Sequence, residues 1–224
     1  MKKLEIFGDS ILKGVMYSEE QKKYKLCQDS KFSELTQYGI EVKNNSKMGA
    51  TITDGLNIMS RRIDSIDKDT IVLLSYGGND CDFMWNEISN NPNGKFFAKT
   101  PENEFIEKYE TAVNYAKSKG AEVVIASLIP IDADKYMNWI SRNLNYDNIL
   151  SWLGDVSMLY RWQEHYNYVV ENIASKLNCK QIDLRSGFLL NHNYSGLLCA
   201  DGIHPTQYGH SIIKSTLSQF MQTA

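Results

Sequence analysis

The sequence has no apolar run long enough to cross a bilayer. Its longest, residues 123–131 and 71–74, fall well short of the ~18 residues that a spanning helix needs, so no membrane partner is expected. It also lacks a basic excess: 24 Lys and Arg stand against 27 Asp and Glu, a net charge of −3. Binding to a phosphate backbone needs clustered positive charge, so nucleic acid is not an expected partner either. Cysteines are few (Cys27, Cys81, Cys179 and Cys199) and none has CxxC spacing. The four histidines show neither an HExxH nor a zinc-finger pattern. No disulfide scaffold, metal or cofactor is therefore implied, and the thiols read as those of a reducing cytoplasm. Glu5 and Asp9 interrupt what would be the apolar region of a secretory signal, which also points to a cytoplasmic protein. Internal repeats, low-complexity tracts and linkers are absent.

What is present is an alternation. The 224 residues suit one domain, and 42% hydrophobic with 23% charged residues is ordinary globular usage. A strand-like run at 3–7 stops at Gly8-Asp9-Ser10. Asp29 is placed to cap a short helix carrying Phe32 and Leu35, and a second strand follows from Gly39 to Val42. Thr53 is read as the cap of a helix with Leu56, Met59 and Ile63 on its apolar face. Residues 70–76 form a continuous apolar strand of the kind buried on both faces. Thr100-Pro101-Glu102 starts a helix, with proline at its first position, that carries Phe105, Tyr109, Ala112, Val113 and Ala116. Strand 122–129, helix 157–177, strand 180–184 and a last helix after Pro205-Thr206 complete the series. Strands alternating with helices of this length predict one three-layer α/β/α sandwich, with about five parallel strands between helical layers. Segments 83–99 and 131–156 read as irregular, and loops that long are commonly functional.

Open parallel sheets bind ligands beyond the carboxyl ends of their strands. Four polar clusters fall at such places: Gly8-Asp9-Ser10, Lys47-Met48-Gly49-Ala50-Thr51, Gly77-Gly78-Asn79-Asp80 and Asp201-Gly202-Ile203-His204-Pro205. Acyl transfer needs a nucleophile, a base, a group orienting the base, and donors for the developing oxyanion. Ser10 supplies a hydroxyl and His204 a base suited to neutral pH. Asp201, three residues before His204, can reach the imidazole nitrogen turned away from Ser10 and fix its tautomer. The Ser10 N–H, the Gly49 N–H and the Asn79 amide are candidate oxyanion donors. Asp9 is read as ordering the nucleophile turn, Asp80 and Asp82 as turn residues, and His165, His192 and His210 as structural. Trp85, Tyr136, Trp139 and Trp152 fit either substrate contact or packing.

These blocks resemble those of the SGNH (GDSL-like) hydrolase superfamily, in the family's order and over residues 8 to 205. With residue frequencies of ~2–7%, three such blocks coincide by chance in fewer than about one chain in ten thousand. Isoleucine at position 11 replaces the leucine of the first block, a departure that touches no catalytic role. The Gly-x-Ser-x-Gly elbow of the other large α/β hydrolase group is absent. The resemblance implies a flavodoxin-like sheet, Ser10 as nucleophile, Asp201 and His204 completing the triad, and Ser10, Gly49 and Asn79 lining the oxyanion hole. It also implies that the stretch matching 131–156 is variable and borders the pocket. The expected activity is hydrolysis of a small-molecule ester through an acyl-enzyme, with a short acyl group on a polar alcohol or sugar favoured. A thioesterase or lysophospholipase, which needs a long apolar groove, is the rival. A non-catalytic binding module on the same fold is the alternative of another class.

Overall fold

Residues 70–75 form the central strand of a parallel sheet and are buried along their whole length, as an unbroken apolar run flanked by two neighbours must be. The computed structural model describes residues 2–27 and 32–223. In chain order the elements begin with β1 (Lys2–Gly8), α1 (Ser10–Lys13) and a hairpin of β2 (Val15–Ser18) and β3 (Lys23–Leu26). After a 3-10 turn come β4 (Ile40–Asn44), α2 (Ile52–Ser60), β5 (Thr70–Ser75), α3 (Trp85–Asn90), α4 (Glu102–Ser118) and β6 (Glu122–Ala126). The rest comprises α5 (Ala133–Ile140), α6 (Tyr146–Leu153), α7 (Ser157–Lys176), β7 (Lys180–Ile182), α8 (Arg185–Leu189) and α9 (Gln207–Thr223).

Five strands pair in parallel in the order β4-β1-β5-β6-β7, the flavodoxin-like arrangement. Side chains alternate across this sheet with period two, and both faces are covered. Phe7, Val72, Leu74, Val123 and Ile125 join the core under α2, α4 and α7. Leu4, Ile6, Ile71, Leu73 and Val124 point the other way, toward α1, α8 and α9. The α4 stripe of Phe105, Tyr109, Ala112, Val113 and Ala116 is buried as its spacing predicts. Full burial of one such large side chain stabilises by ~1.5–3 kcal/mol, so a charge at Val113 would detach the helix. Among the described residues no helix is long and apolar enough to cross a membrane.

Several boundaries differ from the sequence reading. β6 ends at Ala126, because the Ser127 hydroxyl turns to accept the N–H groups of Leu184 and Arg185, and the same contacts end β7 early. The cap of α2 is Thr51, whose N–H donates to Asp54 three residues on, and α2 stops at Ser60, before Ile63. Pro101 caps α4 from outside rather than opening it. Segments 83–99 and 131–156 contain three short helices. Two carry legible caps: Asp132 accepts from the Lys135 N–H, and Asn145 from that of Asn148, each at 3.0 Å. The cap expected at Asp29 lies outside the described residues.

Candidate active site

β1 and β5 are neighbours in the sheet but feed elements on opposite faces, which opens a crevice at their carboxyl ends. Gly8 pairs with Ser75, so the residues that follow each strand emerge side by side. A Cβ at Gly8 would meet the Ser46 hydroxyl and the Ser75 carbonyl at 3.2 Å, so glycine permits this close approach. Asp9 then caps α1, its carboxylate accepting the Ile11 N–H at 2.8 Å. The Ser10 N–H, at the first helical position, has no partner within the helix. Burial pushes the Asp9 carboxyl up to about 6, against the pull of the Ile11 N–H and of the His204 charge.

The loop after α8 delivers the base. It is closed by the Cys199 N–H donating to the His204 carbonyl at 2.7 Å, and it docks on α5 through the Asp132 N–H and the Gly202 carbonyl. Gly202 has a φ of +74°, and a Cβ there would stand 2.6 Å from backbone atoms of Asp132 and Tyr136, so only glycine fits. His204 Nε2 lies 2.9 Å from Ser10 Oγ, and Nδ1 lies 2.7 Å from Asp201 Oδ2. The other Asp201 oxygen accepts the N–H groups of Ile203 and His204 at 3.2 and 3.1 Å. Burial pushes the Asp201 carboxyl up, but the His204 hydrogen bond, its charge and those two N–H groups outweigh it, and the carboxyl sits below its ordinary value. All three side chains are buried.

Asn79, after β5, faces the same crevice. Its amide nitrogen lies 3.3 Å from Asp9 Oδ2 and 3.2 Å from the Ala50 carbonyl, two long contacts that use its donors weakly. Gly49, with a φ of +75°, adjoins Ala50 but does not line the cavity beside Ser10. Asp80 is more than a turn residue: it accepts the Ile52 N–H at 3.0 Å, holding the start of α2, and burial pushes its carboxyl up to about 6. His210 donates to the Val15 carbonyl and His165 pairs with Glu102.

The sequence reading missed Tyr24. The β2–β3 hairpin brings its ring to 5.0 Å from that of His204, and Tyr17 and Trp139 hold it there at centroid distances of 5.3 and 6.3 Å. The Arg142 guanidinium lies over the far partner, Trp139. Alternation through Tyr17 and Tyr24 around a short polar turn was the available signal. Burial and the Asp201 charge hold the Tyr24 proton on. Trp85, Tyr136 and Trp152 instead line a cavity of about 400 Å³ that also takes in Ser10, Asn79 and His204.

The sequence pattern of the GDSL-like lipase/acylhydrolase family matches residues 6–212. The chain belongs to that family. It is accordingly an ester-bond hydrolase on the SGNH fold. A lipase/acylhydrolase from Enterococcus faecalis superposes with a TM-score of 0.66 at 18% identity, over 100% of this chain and 96% of that one. A catalytic mutant of Axe2, an acetylxylan esterase from Geobacillus stearothermophilus, gives 0.64 at 18% identity over 97% and 93%. TesA gives 0.63 at 16% identity over 99% of each chain. At such identities the likeness is one of fold. A search of curated proteins finds no match.

Proposed function

We propose that this GDSL-like hydrolase is a serine esterase working through Ser10, His204 and Asp201. The observation that carries the reading is the unbroken line from the Asp201 carboxylate through both imidazole nitrogens to the Ser10 hydroxyl. Asp201 holds the proton on Nδ1, which leaves Nε2 as an acceptor toward Ser10. Ser10 Oγ attacks the ester carbonyl carbon and its proton passes to Nε2. The tetrahedral intermediate collapses, and the leaving alkoxide takes that proton and departs as the alcohol. Water then repeats the sequence on the acyl-enzyme, releasing the acid and restoring Ser10. The Ser10 N–H and the Asn79 amide, whose residues both line the cavity, are assigned to the oxyanion, which draws on Asn79 more strongly than its two ground-state contacts do.

Ser10→Ala should abolish the acyl-enzyme and cut kcat by ~10⁴ or more with little change in stability. A serine-reactive phosphonate should leave its adduct on Ser10 by mass spectrometry. An adduct elsewhere, or full activity in the mutant, would refute the triad. The triad itself does not choose the acyl group. The cavity beside it supports the longer-chain rival over a short acyl group on a sugar.

A further inference from the structure

We infer that the cavity beside Ser10 seats an unbranched acyl chain of about six to ten carbons, making the chain a medium-chain acyl hydrolase. This rests on the esterase reading above and names its substrate class. Ser10, Asn79 and His204 share the cavity with a large apolar wall of Phe83, Trp85, Phe96, Trp152, Trp162 and Met158, and Asp82, Glu102 and Gln163 also touch it. An acyl ester needs the same pairing, reacting groups for its carbonyl beside apolar surface for its hydrocarbon tail.

The wall's polar atoms argue against a sugar. Trp85 Nε1 and the Tyr136 hydroxyl donate to Asp82 at 2.8 and 2.6 Å, and Lys99 closes on the other Asp82 oxygen at 2.7 Å. Trp162 Nε1 donates to the Cys81 carbonyl, Gln163 Nε2 to that of Ile129, and the Tyr166 hydroxyl to that of Thr100. The donors of Trp85, Tyr136, Trp162, Gln163 and Tyr166 are thus spent on the protein itself. Sugar hydroxyls entering here would lose water and find few free donors in exchange, which is costly, whereas methylenes lose nothing. Ring packing makes the wall firm: Trp152 meets Phe83 at 4.9 Å, Phe96 at 5.9 Å and Trp85 at 6.3 Å, all edge to face.

Size sets the length. The volume is about 400 Å³, and at ~30 Å³ for each water-sized group it has room for roughly a dozen heavy atoms. The carbonyl and its oxygens take a few, leaving six to ten carbons. Each buried methylene favours the bound chain by about fourfold, so selectivity accumulates steeply until the space is full.

The test is a series of p-nitrophenyl esters from acetate to palmitate, with the leaving group held constant. We expect kcat/KM to rise about two- to fourfold per methylene, peak between hexanoate and decanoate, and fall beyond. Trp152→Ala should move the peak to longer chains and Met158→Trp to shorter ones. Decanoate, and not acetate, should quench the tryptophan fluorescence of the wild-type protein, a readout that needs neither turnover nor a variant. A peak at acetate with no decanoate quenching overturns the acyl seat and leaves the serine esterase standing. Decanoate quenching without ester hydrolysis or phosphonate labelling of Ser10 does the reverse.

Discussion

Replacing Asp201 by asparagine tests the proposed triad with the least change of shape. Asp201 has no exposed surface, and its two oxygens do different work. Oδ1 accepts two backbone N–H groups, from Ile203 and His204, while Oδ2 accepts the proton on His204 Nδ1. An amide has one oxygen. Turning it to His204 would set its NH₂ against two N–H donors in a dry site, so the oxygen stays with the backbone and the NH₂ faces Nδ1. Nδ1 must then accept, and the imidazole proton moves to Nε2, where it points at Ser10 and blocks proton abstraction. The loop keeps its shape because its backbone bonds survive. The expected cost is therefore in kcat, by ~10²–10⁴ or about 3–5 kcal/mol in the barrier, with KM nearly constant. Steady-state kinetics on one activated ester, with the melting temperature of the same preparation, measures all of this. A kcat within threefold of wild type in a folded mutant would refute the tautomer argument and with it the role of Asp201.

Asn79→Ala should lower kcat and kcat/KM together by ~10²–10³ with KM little changed, since charge on the oxyanion is full only in the transition state; a rise in KM alone would make Asn79 a ground-state binder. Asp9 offers a pH signature: its carboxyl is raised from an unfolded value near ~3.9 to about 6, so between those values the folded state holds the extra proton and stability falls as pH rises. Asp9→Asn keeps a capping side chain and removes that penalty, so its stability relative to wild type should grow by ~2 kcal/mol from pH 4 to pH 7; a constant difference in denaturation across that range contradicts the raised value. Tyr24→Ala should admit water to the His204–Asp201 pair and cost on the order of tenfold in kcat, whereas Tyr24→Phe keeps the ring and most of the activity. Equal losses in the two variants would show that the ring does not act as cover.

Much of this protein was legible before its structure. The apolar run at 70–75 and the stripe on α4 behave as their periods require, because burial on two faces or one leaves that mark locally. Three of the four polar clusters were visible as residues that directly follow strands, which a parallel sheet brings to one edge whatever its order, and the fourth as part of the connection between the last strand and the last helix. Short helices were lost where caps were weighed less than periodicity. At Asp132 and Asn145 the capping side chain was present, but eight residues give too few turns to show an apolar stripe.

The sequence by itself determined the sandwich, the family and the three residues that form the hydrogen-bonded line at Ser10, because each depends on residue type and order along the chain. Only the tertiary structure decided what surrounds that line. Tyr24 covers His204 from 180 positions away, and Phe83, Phe96, Trp152 and Trp162 build one wall from three separate segments. Contacts of that kind are fixed by the packing of elements against one another, and no local pattern records which distant ring will meet which. The polar atoms of the wall carry the same lesson. A tryptophan N–H or a tyrosine hydroxyl is a potential sugar donor in sequence, and it becomes part of an apolar surface only once folding has matched it with Asp82, Cys81 or Thr100.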